Sequence, residues 1–200
     1  MKDIVLATRN PHKGEEVASL LGDVGITLHT LAEFPSAPEV EEDGDTCEAN
    51  AMKKAVTIAR ATGMTAVADD TGLEVDALDG RPGPFAARYA GEDATYEDNC
   101  RKLLQELDGV PSDRRGARFL TVAAIASPDG DVRTVRGVLE GVITEAGRGE
   151  RGFGYDPVFA VPELRKTLAE LTPEEKNRIS HRAKAFVQVK DILKELSAEG

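Results

Sequence analysis

The strongest constraint on the fold is an alternation of short apolar runs with amphipathic helical segments. Residues 4–7 form a continuous apolar run that ends in polar residues and Pro11, which predicts a buried strand followed by a turn. Residues 11–21 then carry apolar side chains at helical spacing, and Gly22 is placed to end a helix. Helices interleaved with strands in this way are typical of an α/β protein.

The rest of the chain continues this pattern as one folded unit over residues 1–200. Further strands are predicted at 26–31, 65–68, 73–78, 117–126 and 132–143. Helices are predicted at 46–62 and 95–107, followed by one that begins at 172 and a last one that ends at about 196. Asp45 is predicted to cap the second helix, and Asp69-Asp70-Thr71-Gly72 has the composition of a turn. The two long runs joined by residues 128–130 predict a hairpin, so the sheet should be mixed.

Charge and composition exclude several classes of protein. Lys plus Arg is 25 and Asp plus Glu is 36, a net charge of −11, which argues against binding to a nucleic-acid backbone. Two cysteines cannot build a disulfide framework. The amino-terminal apolar stretch is too short for a signal peptide, and no run approaches the roughly 20 apolar residues that span a bilayer. A cytoplasmic protein with no membrane partner is predicted.

One candidate anion site lies where the first strand gives way to the first helix. The amino end of a helix offers unpaired N–H groups, here expected to include those of Arg9 and His12, and a dipole that favours an anion. Thr8 and Asn10 add short polar side chains, and Lys13 adds a positive charge. The alternative is that Thr8 and Asn10 only cap the helix.

A second candidate group combines carboxylates with an amide and a lysine. Asn50 and Lys54 are four residues apart, so they project from one face of the predicted helix, while Glu42 precedes that helix. Asp69 and Asp70 are expected at a strand end, where alternate side chains face opposite ways, so one of them at most should enter a shared site. Such carboxylates suit a hard cation such as Mg2+. A solvated turn is the alternative.

A third candidate group is rich in aromatic rings. Phe153, Tyr155 and Phe159 lie in a stretch of seven residues, inside a segment that also contains glycines. Rings in such a segment can either pack in the core or stack on a base. Asp156 adds a polar edge. Potential hydrogen-bond donors follow further along the chain, at Lys176, Ser180, His181 and Arg182.

Taken in order, these motifs resemble the inosine triphosphate pyrophosphatases, a family also called dITP/XTP pyrophosphatases. The motifs are T-x-N-x-x-K at 8–13, E-x-G-x-T at 42–46, N-A-x-x-K-A at 50–55, A-D-D-T-G-L at 68–73, G-x-P-G at 80–83 with Arg88-Tyr89, F-G-Y-D-P-x-F at 153–159 and S-H-R at 180–182. The resemblance spans the whole chain. It implies an elongated mixed sheet with flanking helices, two lobes around a central nucleotide-binding cleft, and a homodimer.

The same resemblance implies an activity, the hydrolysis of deaminated purine nucleoside triphosphates (ITP, dITP and XTP) to the monophosphate and pyrophosphate. Asp70 would be the catalytic base, and Glu42 and Asp70 would hold Mg2+. The phosphates would be bound by Thr8, Arg9, Asn10, His12, Lys13, Asn50, Lys54 and Thr71. The nucleobase and sugar would be bound by Phe153, Gly154, Tyr155, Asp156, Lys176, His181 and Arg182.

Two positions depart from the family pattern, and two other functions stay open. Arg9 stands where a small residue is common, and Ala86 stands where a serine is common, so no hydroxyl role is carried over there. The alternatives are a non-catalytic nucleotide sensor and a pyrophosphatase that acts on modified pyrimidine nucleotides. The presence of both Glu42 and Asp70 argues against a sensor, which gains little from a metal ligand and a base.

Overall fold

Eight strands and five α-helices occur in residues 3–22 and 25–198, the part of the chain that this computed structural model describes. The strands are β1 (Asp3–Leu6), β2 (Thr27–Thr30), β3 (Thr65–Val75), β4 (Pro82–Gly83), β5 (Gly116–Ala126), β6 (Val132–Ile143), β7 (Phe159–Val161) and β8 (Lys166–Thr167). The helices are α1 (Pro11–Leu21), α2 (Cys47–Thr62), α3 (Tyr96–Glu106), α4 (Pro173–Ile179) and α5 (His181–Ala198).

The strands form one mixed sheet. Its order is β2-β1-β3-β5-β6-β7-β8, and β4 pairs with β3. Strand β1 is parallel to both of its neighbours, with Val5 opposite His29 on one side and Ala66 on the other. The β3–β4, β6–β7 and β7–β8 pairs are antiparallel. The predicted α/β class with a mixed sheet is confirmed.

Helix boundaries follow from local chemistry. Helix α1 has Pro11 at its first position and Asn10 as its cap, which accounts for the agreement with the prediction of 11–21. Helix α2 is capped by Thr46, whose hydroxyl accepts the Ala49 N–H at 3.1 Å, so the prediction that Asp45 caps it was wrong. It ends at Gly63, which adopts a left-handed φ of +68°.

Strand β3 corrects another prediction. We expected Asp69-Asp70-Thr71-Gly72 to form a turn between two short strands, but β3 runs unbroken through it for 11 residues. Both aspartates are buried. Buried carboxylates need charged or hydrogen-bonding partners, and tertiary partners, described below, override the local turn preference of this sequence.

The chain divides into two compact units, of which the first contains the described residues up to Asp70, Thr121–Gly137 and those from His181 on. Its core is aliphatic apart from one ring, Phe186, and helices α1 and α5 pack together in it. The side chains at its centre are Ile4, Leu6, Val17, Leu21, Val67, Ile125, Phe186, Val189 and Leu193. Burying each such side chain contributes about 1.5–3 kcal/mol.

The second unit contains Thr71–Leu120 and Val138–Ser180, and it has a separate core. Phe119 and Phe159 pack in this core with ring centroids 4.6 Å apart. Aliphatic side chains from β3, α3 and β6 surround them, including Leu73, Leu103 and Ile143. No helix within the described ranges has both the length and the apolar composition to cross a membrane.

Candidate active site

The loop between β1 and α1 is held by its own side chains. Asn10 Oδ1 accepts the N–H groups of His12 at 3.0 Å and Lys13 at 3.3 Å, and Thr8 Oγ1 accepts the Asn10 N–H at 3.2 Å. The capping role that we considered for Asn10 is therefore present. The His12 N–H, which we expected to be unpaired, is bonded to Asn10.

Arg9, a departure from the family pattern, ties this loop to the segment before α2. Its guanidinium donates to the Ala37 carbonyl at 3.1 Å. One effect of Arg9 is thus to anchor the two loops to each other, both within the first unit.

Asp69 is the centre of a buried group of charges. Its Oδ2 accepts Nε and Nη2 of Arg182, each at 3.2 Å, and lies 3.5 Å from Lys13 Nζ. Burial alone would raise the pKa of Asp69, but the positive charges of Lys13, Arg182 and Lys54 outweigh it and hold this pKa well below its ordinary value. Asp69 is therefore an anion held by cations from α1 and α5.

Asp70, its neighbour on β3, has different partners. Asn50 Nδ2 donates to Asp70 Oδ2 at 3.2 Å, and Lys54 Nζ lies 3.4 Å from Asp70 Oδ1 and 2.5 Å from Glu42 Oε1. Lys54 also donates to the Asp69 carbonyl at 2.6 Å. The single ammonium group of Lys54 thus faces both carboxylates that we predicted as metal ligands.

The electrostatics of this group follow from its burial. Desolvation raises the pKa of Asp70, and the nearby Lys54 and Lys13 charges oppose the rise only in part. Desolvation would lower the pKa of Lys54, but Asp70 and Glu42 outweigh it, so the pKa of Lys54 is raised and the ammonium stays charged.

The loop before α2 orients Asn50. The Gly44 N–H donates to Asn50 Oδ1 at 2.8 Å, and a Cβ on Gly44 would lie 2.7 Å from that same oxygen. A side chain at position 44 would therefore displace the amide that binds Asp70. This explains why the loop has a glycine between Glu42 and Thr46.

Cys47 lies beside Asp70 and does not add a soft ligand. Burial and the Asp70 charge raise the pKa of the Cys47 thiol to about 12, so it stays protonated near neutral pH. The predicted metal ligands therefore remain the carboxylate oxygens of Glu42 and Asp70, which suit a hard cation.

In the second unit, a turn from Gly152 to Asp156 holds a buried ion pair. Asp156 Oδ2 accepts the Phe153 N–H at 2.9 Å and Lys176 Nζ at 2.6 Å. Lys176 Nζ lies 4.9 Å from the centre of the Phe153 ring, within range of a cation–π interaction. Gly152 has a φ of +74°, and a Cβ there would lie 2.0 Å from Asp156 Oδ2.

The three clustered rings have different environments. Phe159 and Tyr155 are buried in the core of the second unit, and the Tyr155 hydroxyl donates to the Ala86 carbonyl at 2.8 Å. Phe153 is half-buried and lies 6.0 Å, centre to centre, from Tyr96 of α3. Phe153 is thus the ring of this cluster with an accessible surface. Ala86, where the family often has a serine, contributes its backbone carbonyl to the bond with Tyr155.

His181 and Arg182 open helix α5, after Ser180 has ended α4 in an extended conformation. Both are buried, and they belong to the first unit together with Asp69. Gly137 on β6 permits the close approach of this helix, because a Cβ there would lie 2.1 Å from the His181 carbonyl oxygen.

The structure therefore sorts the predicted residues into two groups. The first unit contains Thr8, Arg9, Asn10, His12, Lys13, Glu42, Asn50, Lys54, Asp70, His181 and Arg182, of which Glu42, Asn50, Lys54 and Asp70 contact one another. The second unit contains Thr71, which follows Asp70 on β3, and Phe153, Gly154, Tyr155, Asp156 and Lys176.

Two residues that contact these predicted site residues were not predicted from the sequence. Glu16 on α1 binds Nη1 of Arg182, and Tyr96 packs against Phe153. Glu16 follows Lys13 by three residues on the same helix, which was the one local signal available. Nothing local linked Tyr96 to Phe153.

Comparison with known proteins agrees with the motifs. Residues 4–192 match the Ham1 family. A dITP/XTP pyrophosphatase of Geobacillus kaustophilus is 50% identical over 196 residues, 98% of this chain and 96% of that protein. A protein of the same name from Desulforamulus reducens is 52% identical over 193 residues, 96% of each. A solved HAM1 protein from Coxiella burnetii has 43% identity and a TM-score of 0.89, covering 98% of this chain and 100% of that one. The family resemblance read from the motifs is confirmed, and the chain belongs to the Ham1 family.

Proposed function

We propose that this protein hydrolyses the deaminated purine nucleotides ITP, dITP and XTP to the monophosphate and pyrophosphate, with water attacking the α-phosphorus. The observation that carries the proposal is the Lys54 ammonium group held against both Glu42 and Asp70. This contact places one cation beside two carboxylates. Phosphoryl transfer needs such groups for stabilising charge and for activating water. The relatives named dITP/XTP pyrophosphatase support this substrate class.

The phosphates are assigned to the first unit. Lys13 and Lys54 supply positive charge, and the amino end of α1, stiffened by Asn10, adds a favourable dipole. Thr8, Arg9, His12 and Asn50 complete the assignment within this unit, and Thr71, which follows Asp70 on β3, is assigned with them. Fixed positive charges of this kind stabilise the negative charge that develops on the leaving pyrophosphate.

Glu42 and Asp70 are the residues that would hold Mg2+. Within residues 3–22 and 25–198, no three His, Cys, Asp or Glu side chains are grouped as a metal site. Mg2+ is commonly held by one or two carboxylates together with substrate phosphates, so the two oxygen donors fit it. When bound, the ion would supply positive charge to the phosphate oxygens.

Asp70 is assigned the role of general base. Its buried carboxylate has a raised pKa, which makes it a stronger proton acceptor than an exposed aspartate. Asn50 fixes one carboxylate oxygen through its amide, and Lys54 lies beside the other. Asp70 would take the proton of the attacking water. Asp69, whose carboxylate contacts Arg182 and Lys13, would have a structural role and hold these two side chains in place.

The nucleobase is assigned to the Phe153 ring, its neighbour Gly154, Tyr155, and the Asp156–Lys176 pair. The family resemblance also implies His181 and Arg182 as donors for a 6-oxo group; both lie in the first unit, where Nε, Nη1 and Nη2 of Arg182 already donate to Asp69 and Glu16. Adenine presents an amino donor at that position and would leave such donors unpaired. An unpaired buried donor costs about 1–3 kcal/mol, more for a charged group, which is enough to discriminate against ATP.

A homodimer in the cytoplasm is proposed on the family resemblance alone. Light scattering coupled to size-exclusion chromatography tests the dimer, and a monomer mass at micromolar concentration would refute it.

Product analysis is the decisive test of the activity. ITP, XTP, GTP, ATP and a modified pyrimidine triphosphate are each incubated with the protein and Mg2+, and pyrophosphate is measured separately from orthophosphate. We expect IMP and pyrophosphate from ITP, at a higher rate than from GTP or ATP. Binding of ITP without turnover would favour a sensor, and faster turnover of the pyrimidine would favour the other alternative.

A further inference from the structure

Glu16, which lies three residues after the T-x-N-x-x-K motif at 8–13, belongs to a series of four alternating charges in the first unit. Glu16 Oε2 accepts Nη1 of Arg182, whose Nε and Nη2 donate to Asp69 at 3.2 Å, and Asp69 lies 3.5 Å from Lys13. Glu16 and Lys13 are three residues apart on α1, so they lie on neighbouring parts of one helix face. The chain of contacts therefore leaves α1, passes through α5 and β3, and returns to α1.

Burial makes this series of four charged side chains rigid. The Arg182 side chain is 2% exposed and that of Asp69 is 0% exposed, while Glu16 and Lys13 keep 17% and 16%. Two positive and two negative charges balance one another. A buried guanidinium group is costly unless carboxylates surround it, so the position of Arg182 depends on both Glu16 and Asp69.

We propose that Glu16 is a positioning residue for phosphate binding, which acts through Arg182 and Asp69 to fix the ammonium group of Lys13. With Glu16 present, Arg182 divides its hydrogen bonds between two carboxylates, and Asp69 keeps capacity for Lys13. Without the Glu16 charge, Arg182 binds Asp69 more strongly and competes with Lys13 for it. Lys13 then loses its fixed position at the start of α1. The proposal rests on the phosphate role given to Lys13 in the proposed function.

The test isolates the phosphate group from the base by using inorganic tripolyphosphate as the probe. Glu16→Gln removes the charge and retains the shape. Glu15→Gln is the matched control, because Glu15 is the preceding residue of the same helix and is exposed. Calorimetry with Mg2+ measures the dissociation constants of tripolyphosphate, ITP and ATP. We expect Glu16→Gln to weaken all three by about 10-fold, with an unchanged ITP to ATP ratio, and Glu15→Gln to leave them unaltered.

Kinetics separate positioning from general damage. The KM for ITP should rise in Glu16→Gln while kcat at saturation is kept, because Lys54 donates to the backbone carbonyl of Asp69, whereas Arg182 and Lys13 contact its carboxylate. Glu16→Asp retains the carboxylate and should recover part of the tripolyphosphate affinity, which also covers the case of poor folding by Glu16→Gln.

Three results would overturn the proposal. They are equal tripolyphosphate affinity in Glu16→Gln and Glu15→Gln, equal losses in Glu16→Asp and Glu16→Gln, and a loss confined to ITP that spares tripolyphosphate. The last would mean that Glu16 orients Arg182 toward the base. Failure of the unaltered protein to hydrolyse ITP would refute the proposed function instead, and tripolyphosphate binding would still decide the role of Glu16.

Discussion

The two units hold their candidate site residues by different physical means. In the first unit, Lys13, Lys54, Asp69 and Asp70 are fixed by charge–charge contacts between helices and β3. In the second unit, Phe153 and its neighbours are fixed by a tight glycine turn over a packed core, with one buried ion pair. The first arrangement should be sensitive to loss of charge at constant shape, and the second to added volume.

Removing the charge of Asp70 is the most severe challenge to the first arrangement. Asp70→Asn keeps the shape but cannot accept the proton of water, so kcat for ITP should fall by about 10²- to 10⁴-fold. ITP binding, measured by calorimetry, should be largely kept. Asp108→Asn, at an exposed position outside both groups, is the control. Near-normal turnover in Asp70→Asn would remove Asp70 from the role of base.

Lys54 should give the next largest effect. Lys54→Met retains much of the side-chain length but removes the cation that faces Glu42 and Asp70. Charge-assisted hydrogen bonds contribute about 1.5–3 kcal/mol, so KM should rise about 10- to 100-fold for ITP, GTP and ATP alike. Lys53→Met is a matched control, because Lys53 is exposed and pairs with Asp43. A loss confined to one base would contradict the phosphate assignment.

These charge contacts also explain which parts of the site were predictable. The sequence was sufficient for α1, because Pro11, Asn10 and Gly22 are local signals. It was insufficient for β3, because the partners of Asp69 and Asp70 are remote. Arg182 lies 113 residues from Asp69 and 166 from Glu16. The motifs identified residue types and order, but only tertiary contacts show that Asp69 pairs with Arg182.

The second unit showed the same division between local and remote signals. The glycines and Asp156 indicated an irregular turn, and the structure has one. Whether each ring packs or stays accessible depends on the core, which buried Tyr155 and Phe159 and left Phe153 half-buried. Sequence spacing contains no information on that outcome.

Added volume at Gly152 tests the second arrangement. Gly109 has a φ of +73°, almost that of Gly152 at +74°, but a Cβ at Gly109 meets nothing within 4 Å. Gly109→Ala should cost about 1–2 kcal/mol from backbone strain. Gly152→Ala should cost more, because its Cβ would also displace Asp156 from Lys176.

Urea denaturation measures the two free energies of unfolding, and rates with ITP and ATP measure selectivity. We expect Gly152→Ala to lower the ITP to ATP ratio and Gly109→Ala to keep it. Equal destabilisation by both variants, with selectivity unchanged, would show that the turn does not position Asp156.

The smallest expected effect comes from a charge contact that is not buried. Hydrogen bonds that the His29 ring donates to the carboxylates of Glu33 and Asp3 raise the pKa of His29 above its ordinary value of 6.5, and the Phe34 ring lies edge-on at 6.1 Å. A raised pKa in the folded state means that this stabilisation is complete below about pH 6.5 and is lost as pH rises through the folded-state value. The stability difference between the unaltered protein and His29→Gln should therefore be larger at about pH 5.5 than at about pH 8.5. Asp3→Asn should reduce the same pH dependence, since it removes one of the two acceptors. A difference that is independent of pH would show that water screens this contact completely, and that burial is what makes the charges around Asp69 effective.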